Sequence, residues 1–236
     1  MTSFDTVVMV DWSAGNDRGP RPTKDAIWIG VQRGAAAEEP VYQRNRQEAE
    51  RWLEAFLTAE RAEGRRVLVG FDFPFGYPAG FAEALCGSSD PLDLWDWFEA
   101  RIEDDPKANN RFDLAAEINL GLGSGQGPFW FNTLSRDIDG LPRNKDGYAN
   151  PFPEKRRCED LAKGAFTCWQ MGGAGAVGGQ VMMGLPVLAR LRRKLEVAVW
   201  PFQPLIAPIA FVEIWPSLTA GPAPEGMIKD AWQVQQ

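Results

Sequence analysis

"VMVDWSA", residues 8–14, places an aspartate at the end of an apolar run. Val7, Val8, Met9 and Val10 read as a strand buried on both faces, where a carboxylate costs several kcal/mol unless something pairs with it. "VLVGFDFPF", residues 67–75, repeats the arrangement and delivers Asp72. Two strands that each end in an aspartate predict a shared site, one that holds a cation.

The residues between these strands set the order of elements. "DWSAGNDRGPRPTKD", residues 11–25, is a polar loop rich in Gly and Pro. "AIWIGVQRG" (26–34) and "PVYQRN" (40–45) read as second and third strands, joined by an Ala/Glu turn near 34–39. Over 46–63 the spacing of Ala49, Trp52, Leu53, Phe56 and Leu57 predicts an amphipathic helix ended by Gly64. Three meandering strands, a crossover helix and a fourth strand predict an α/β fold on a mixed sheet.

Downstream, helices are expected over 92–104 and 108–118, followed by an aromatic, loop-rich stretch to residue 153. Residues 79–154 read as a lobe inserted into a single domain, 1–236, shaping one side of a cleft. A helix is expected over 185–196, on Leu185, Leu188, Leu191 and Leu195, then strands at 197–202 and 209–215. A short closing helix lies in "GMIKDAWQVQQ", residues 226–236.

Composition removes several chemistries. The chain has no histidine, which excludes imidazole as general base and His-ligated zinc. Cys86, Cys158 and Cys168 are odd in number and lack CxxC spacing, so they read as reduced thiols of a cytoplasmic protein. A formal net charge of −7 argues against non-specific wrapping of nucleic acid, yet leaves room for a local basic groove. No run has the length of a membrane span, and no secretory signal is expected at the N-terminus.

Four acids sit where simple packing would not place them: Asp11, Asp72, Glu213 in "FVEIWPS", and Asp230 near the start of the last helix. Singly, each has an ordinary explanation. Asp11 and Asp72 suit loop or helix caps, Glu213 a solvated sheet face, and Asp230 the first turn of a helix. Together they match a set of hard oxygen donors able to hold two Mg²⁺ or Mn²⁺ ions about 4 Å apart, which activate water on a phosphodiester.

With "VDWSA", "GFDFPFGYP", "RRCEDLAKGAFTCWQMGGAGAVGGQVMMGLPVLARLR", "VWPF" and "VEIWPS", the chain resembles the family of unknown function numbered 429. That family is thought to be RNase H-like, and the resemblance covers both ends of the chain but not 80–150. It implies a five-stranded mixed sheet flanked by helices, with the insertion after the fourth strand. It implies Asp11 and Asp72 as paired metal ligands, with Glu213 and Asp230 as the later acids. Arg157 and Glu159, in "RRCE", match a polar pair that would contact substrate. The closing helix of such proteins is expected to run on beyond Gln236.

The resulting expectation is a metal-dependent nuclease or phosphodiesterase acting on nucleic acid or a nucleotide. Its rivals are a non-hydrolytic nucleotide- or pterin-binding accessory protein, since similar sequences carry a molybdopterin guanine dinucleotide synthesis label, and an inactive scaffold. Ser13 and Lys24, beside the first acid, either bind a phosphate oxygen or only hydrate a loop. "GGAGAVGG", residues 172–179, lacks the context of a Walker A or dinucleotide loop and reads as a hinge or tight helix contact, with a phosphate cradle as the alternative. "KRR" (155–157) and "RLRRK" (190–194) read as solvated faces or cleft linings. Trp95, Trp97, Trp130 and Trp169 suit either base stacking or a core.

Overall fold

The first strand, β1 (Thr6–Asp11), lies between an antiparallel β2 (Ile27–Arg33) and a parallel β5 (Val67–Phe71). The computed structural model describes residues 3–235 other than Ser124, Lys163, Thr219 and Ala220. The outer edge of β2 carries two short strands, β3 (Ala36–Ala37) and β4 (Val41–Gln43). Beyond β5 run β9 (Ile209–Glu213) and β8 (Val197–Val199), both parallel to it, giving a seven-stranded mixed sheet.

The residues predict six strands and the resemblance implies five; the sheet has seven for a physical reason. Residues 36–37 fold back on Gln32 and Arg33 where a turn was expected, and two residues are too few to carry a hydrophobic period. β8, expected over 197–202, is confined to Val197–Val199 and forms the outer parallel strand. The burial of β1 also differs from expectation. Thr6, Val8 and Val10 are buried, Val7 is 38% exposed and Met9 is half-buried, so the strand alternates and does not bury both faces.

That alternation defines two sheet faces. On one, Thr6, Val8 and Val10 lie with Val31, Val69, Phe71 and Phe211, and the helix α1 (Arg46–Ala62) covers them with Ala49, Leu53 and Leu57. Asn45 caps α1 by accepting from the Glu48 N–H. Thr6 Oγ1 donates to Glu60, which also takes Arg33 and Arg65, so a carboxylate buried on α1 is fully partnered. On the other face, Met9, Asp11, Trp28 and Gly30 meet the closing helix α7 (Lys229–Gln233). A Cβ on Gly30 would lie 1.9 Å from the Val234 carbonyl oxygen, so only glycine lets α7 close on β2.

The chain divides into two compact units. The first comprises residues 1–73, 105–107 and 190–236, and the second 74–104 and 108–189. The second holds α2 (Phe81–Cys86), α3 (Pro91–Glu99), α4 (Arg111–Gly121) and α5 (Arg157–Leu161). Two-residue strands β6 (Asp104–Asp105) and β7 (Ala108–Asn109) interrupt the region expected to be helical to 104. Its centre is aromatic: Tyr77, Phe81, Phe98, Phe129 and Trp169 pack with ring centroids 4.6–5.8 Å apart. Trp169 belongs to that centre, and the second unit runs to residue 189. Trp95 is also core there, its Nε1 donating to the Phe75 carbonyl at 2.7 Å.

The helix α6 (Val177–Lys194) begins eight residues before its expected start and takes in part of the glycine-rich segment. A Cβ on Gly178 would meet the Cys168 carbonyl at 2.5 Å, which identifies a tight helix contact. No helix among the described residues is long and apolar enough to cross a membrane.

Candidate functional site

Asp11 ends β1, and Asp72 follows β5 with its own N–H donating to the Val10 carbonyl. In-register neighbours share a face, so Asp11 and Asp72 both point to the side of Met9, Gly70 and Trp28, the side that carries α7. The Trp12 N–H donates to Asp72 Oδ1 at 2.6 Å, and the Asp11 carboxyl donates to the Asp72 carboxylate. The pair is thereby disposed to retain one proton.

Electrostatics explain why. Burial raises Asp11 well above the ordinary carboxyl range, and the charge of Asp72 and the hydrogen bond to it raise it further. Burial likewise pushes Asp72 up to about 6, against the opposing hydrogen bonds from Asp11 and the Trp12 N–H. The charge of Asp230 raises both, whereas Lys229 pulls Asp11 down. A pair of this kind holds one positive charge at neutral pH more readily than two bare anions.

Asp230 comes from the first turn of α7. Its Oδ2 accepts from the Asp25 N–H at 2.7 Å, which ties the helix to the far end of the loop that begins after Asp11. Among the described residues, no group of three or more acidic, cysteine or histidine side chains is gathered at metal-holding spacing. Asp230 thus stands within electrostatic reach of the pair without joining it as a third close donor.

Glu213 is not brought to this cluster by the pleat. It pairs with Phe71, one residue before Asp72, and so lies on the face of Val10 and Phe71, opposite Asp11 and Asp72. Ser13 serves the loop: its Oγ donates to the Asp25 carbonyl at 2.9 Å and accepts from the Gly15 N–H at 3.1 Å. Lys24 is exposed on the same loop. Arg157 is exposed in the second unit, whereas Glu159 is buried and pairs with Arg156 at 2.9 Å, accepting also from the Arg156 N–H as a helix cap.

The other basic and glycine-rich stretches have local partners. Arg190 and Lys194 pair with Glu50 and Glu54 of α1, each at 2.6 Å. At the start of α6 the Gly178 N–H donates to the Gln170 carbonyl and the Val177 N–H to Gly175, so those amides are spent on protein and not offered to a phosphate. Cys86, Cys158 and Cys168 form no disulfide.

Three contributors have no sequence signal. The Trp12 and Asp25 amides act through their own backbone N–H, and the buried Arg46 donates from Nη1 to the backbone carbonyls of Ser13 and Gly15, contacts that no residue pattern announces. Comparison with protein-family profiles, curated protein sequences and solved structures gave no match.

Proposed function

We propose that the chain is a divalent-metal-dependent phosphodiesterase of RNase H-like type, acting on a nucleic-acid or nucleotide phosphodiester with Mg²⁺ or Mn²⁺. The observation that carries this reading is the Asp11–Asp72 pair, two carboxyls brought side by side at the ends of adjacent parallel strands, with burial raising both. Donor chemistry fits the metal: the pair offers only hard oxygens, and Asp230 adds negative charge beside them. The placement of the first acid on β1 and the second at the end of neighbouring β5 supports the RNase H-like assignment. Glu213, on the opposite face, favours one cation at this pair over two.

Asp11 and Asp72 would hold the metal, which when bound supplies Lewis-acid polarisation of the phosphodiester and activation of water. The chain's own contribution is proton release and orientation. Asp11, held toward its protonated form by burial, would give up its carboxyl proton to serve as a ligand. The Trp12 N–H keeps Asp72 Oδ1 fixed and so orients the carboxylate. Lys229, exposed on α7, brings a positive charge beside the acids for an anionic substrate.

The test is cleavage of single- and double-stranded DNA and RNA with Mg²⁺ or Mn²⁺, by wild type and Asp72→Asn. The proposal expects metal-dependent cleavage that falls by at least about 100-fold in the variant. Full activity in Asp72→Asn, or activity that persists in chelator, would overturn it.

A further inference from the structure

The loop from Trp12 to Asp25 grips an acid at each end. At its start the Trp12 N–H holds Asp72, and at its finish the Asp25 N–H holds Asp230. Asp25 itself has φ +56°, a left-handed backbone that L-residues adopt at a cost, and that Asn, Asp and Gly tolerate best. Its carbonyl is fixed as well, accepting from Ser13 Oγ at 2.9 Å and from Arg18 Nε at 3.1 Å. The peptide groups on both sides of one strained residue are thus pinned, and strain of this kind survives only where the surroundings over-determine it.

The other anchor is Arg46. It is 2% exposed at the first position of α1, and its guanidinium spans the carbonyls of Ser13 and Gly15 at 3.1 and 2.6 Å. The loop is therefore stapled to α1 at one end and latched to α7 at the other.

We infer that Asp25 is a positioning residue whose left-handed backbone, not its carboxylate, presents its N–H to Asp230 and so sets the third acid beside Asp11 and Asp72. The inference rests on the metal-site reading above, because the reason for holding Asp230 there is to complete the negative surround of a cation. Asp230 then has two duties: its Oδ2 fastens the loop, and its charge acts on the pair.

The test compares Asp25→Gly, Asp25→Asn, Asp25→Ala and Asp25→Val, all of which remove the same charge. Two readouts are taken on the full chain: deuterium exchange at the residue-25 amide without metal, and Mn²⁺ affinity by calorimetry. Gly and Asn should keep the amide protected and the affinity within about twofold of wild type. Ala and Val should exchange about tenfold faster and bind Mn²⁺ about tenfold more weakly, at unchanged protection of the β1 and β5 amides. Loss of affinity in Gly and Asn as well would show that the Asp25 carboxylate is what matters, and would overturn the inference. So would equal exchange in all four variants. If wild type takes up no Mn²⁺, the metal reading fails by itself, and the exchange series still decides whether the latch exists.

Discussion

Replacing Asp72 by Asn should stabilise the metal-free protein at neutral pH while abolishing the site. The amide is close to isosteric: its oxygen still accepts from the Trp12 N–H, and its NH₂ donates to Asp11 in place of the shared proton. In the wild type, burial lifts the Asp72 carboxyl from 3.8 to about 6, equivalent to about 3 kcal/mol of preference for the neutral form. The sign follows from linkage. A carboxyl whose folded-state pKa is raised contributes stability below its unfolded value of 3.8 and loses that contribution as pH rises through about 6. The half-buried side chain retains some solvent, so the gain expected at pH 7.5 is about 2 kcal/mol, shrinking toward zero at pH 3.5. Urea denaturation of both proteins in chelator, at the two pH values, measures this. A variant less stable than wild type at pH 7.5, or a difference that ignores pH, would refute the shared-proton account.

Other substitutions probe the frame around the pair. Gly30→Ala puts a methyl group 1.9 Å from the Val234 carbonyl, so α7 must lift; about 1–3 kcal/mol of stability and most amide protection in α7 should be lost while β1 stays protected, as exchange would report. Glu60 behaves oppositely to Asp72. Burial alone would raise it, but hydrogen bonds from Arg65, Arg33 and Thr6 hold it at about 2, so its contribution is present above 4.5 and lost as pH falls through about 2. Glu60→Gln should therefore cost about 1–2 kcal/mol at pH 7 and little at pH 2, read by urea denaturation. In the second unit, Trp95→Phe leaves the Phe75 carbonyl without its indole donor and should cost about 1–3 kcal/mol by thermal or urea melting.

The parts of this account visible in the residues are those where polarity breaks a pattern. Asp11 and Asp72 stand out because each ends an apolar strand, and the helix over 46–62 is written in the spacing of Ala49, Leu53 and Leu57. What stayed hidden depends on registers and partners fixed only in three dimensions. Glu213 looks like Asp72 in sequence, yet its face is set by pairing one position out of step, with Phe71. Ser13 looks like a ligand-binding hydroxyl until the Asp25 carbonyl, twelve residues on, takes its proton. The second unit runs to residue 189, and its aromatic centre joins Tyr77 to Trp169, a distance in sequence that no local period spans. Of the two readings of residues 172–179, hinge or tight helix contact, Gly178 takes the second, and helix propensity gave way there to a close approach of backbone to the Cys168 carbonyl.

Titration of Mn²⁺ into wild type, Asp72→Asn and Glu213→Gln by calorimetry at pH 7.5 addresses the central claim most directly. The account predicts one bound ion in wild type and in Glu213→Gln, none in Asp72→Asn, and proton release on binding that scales with buffer ionisation enthalpy. Binding that survives in Asp72→Asn, or that disappears in Glu213→Gln, would contradict a cation held by the Asp11–Asp72 pair.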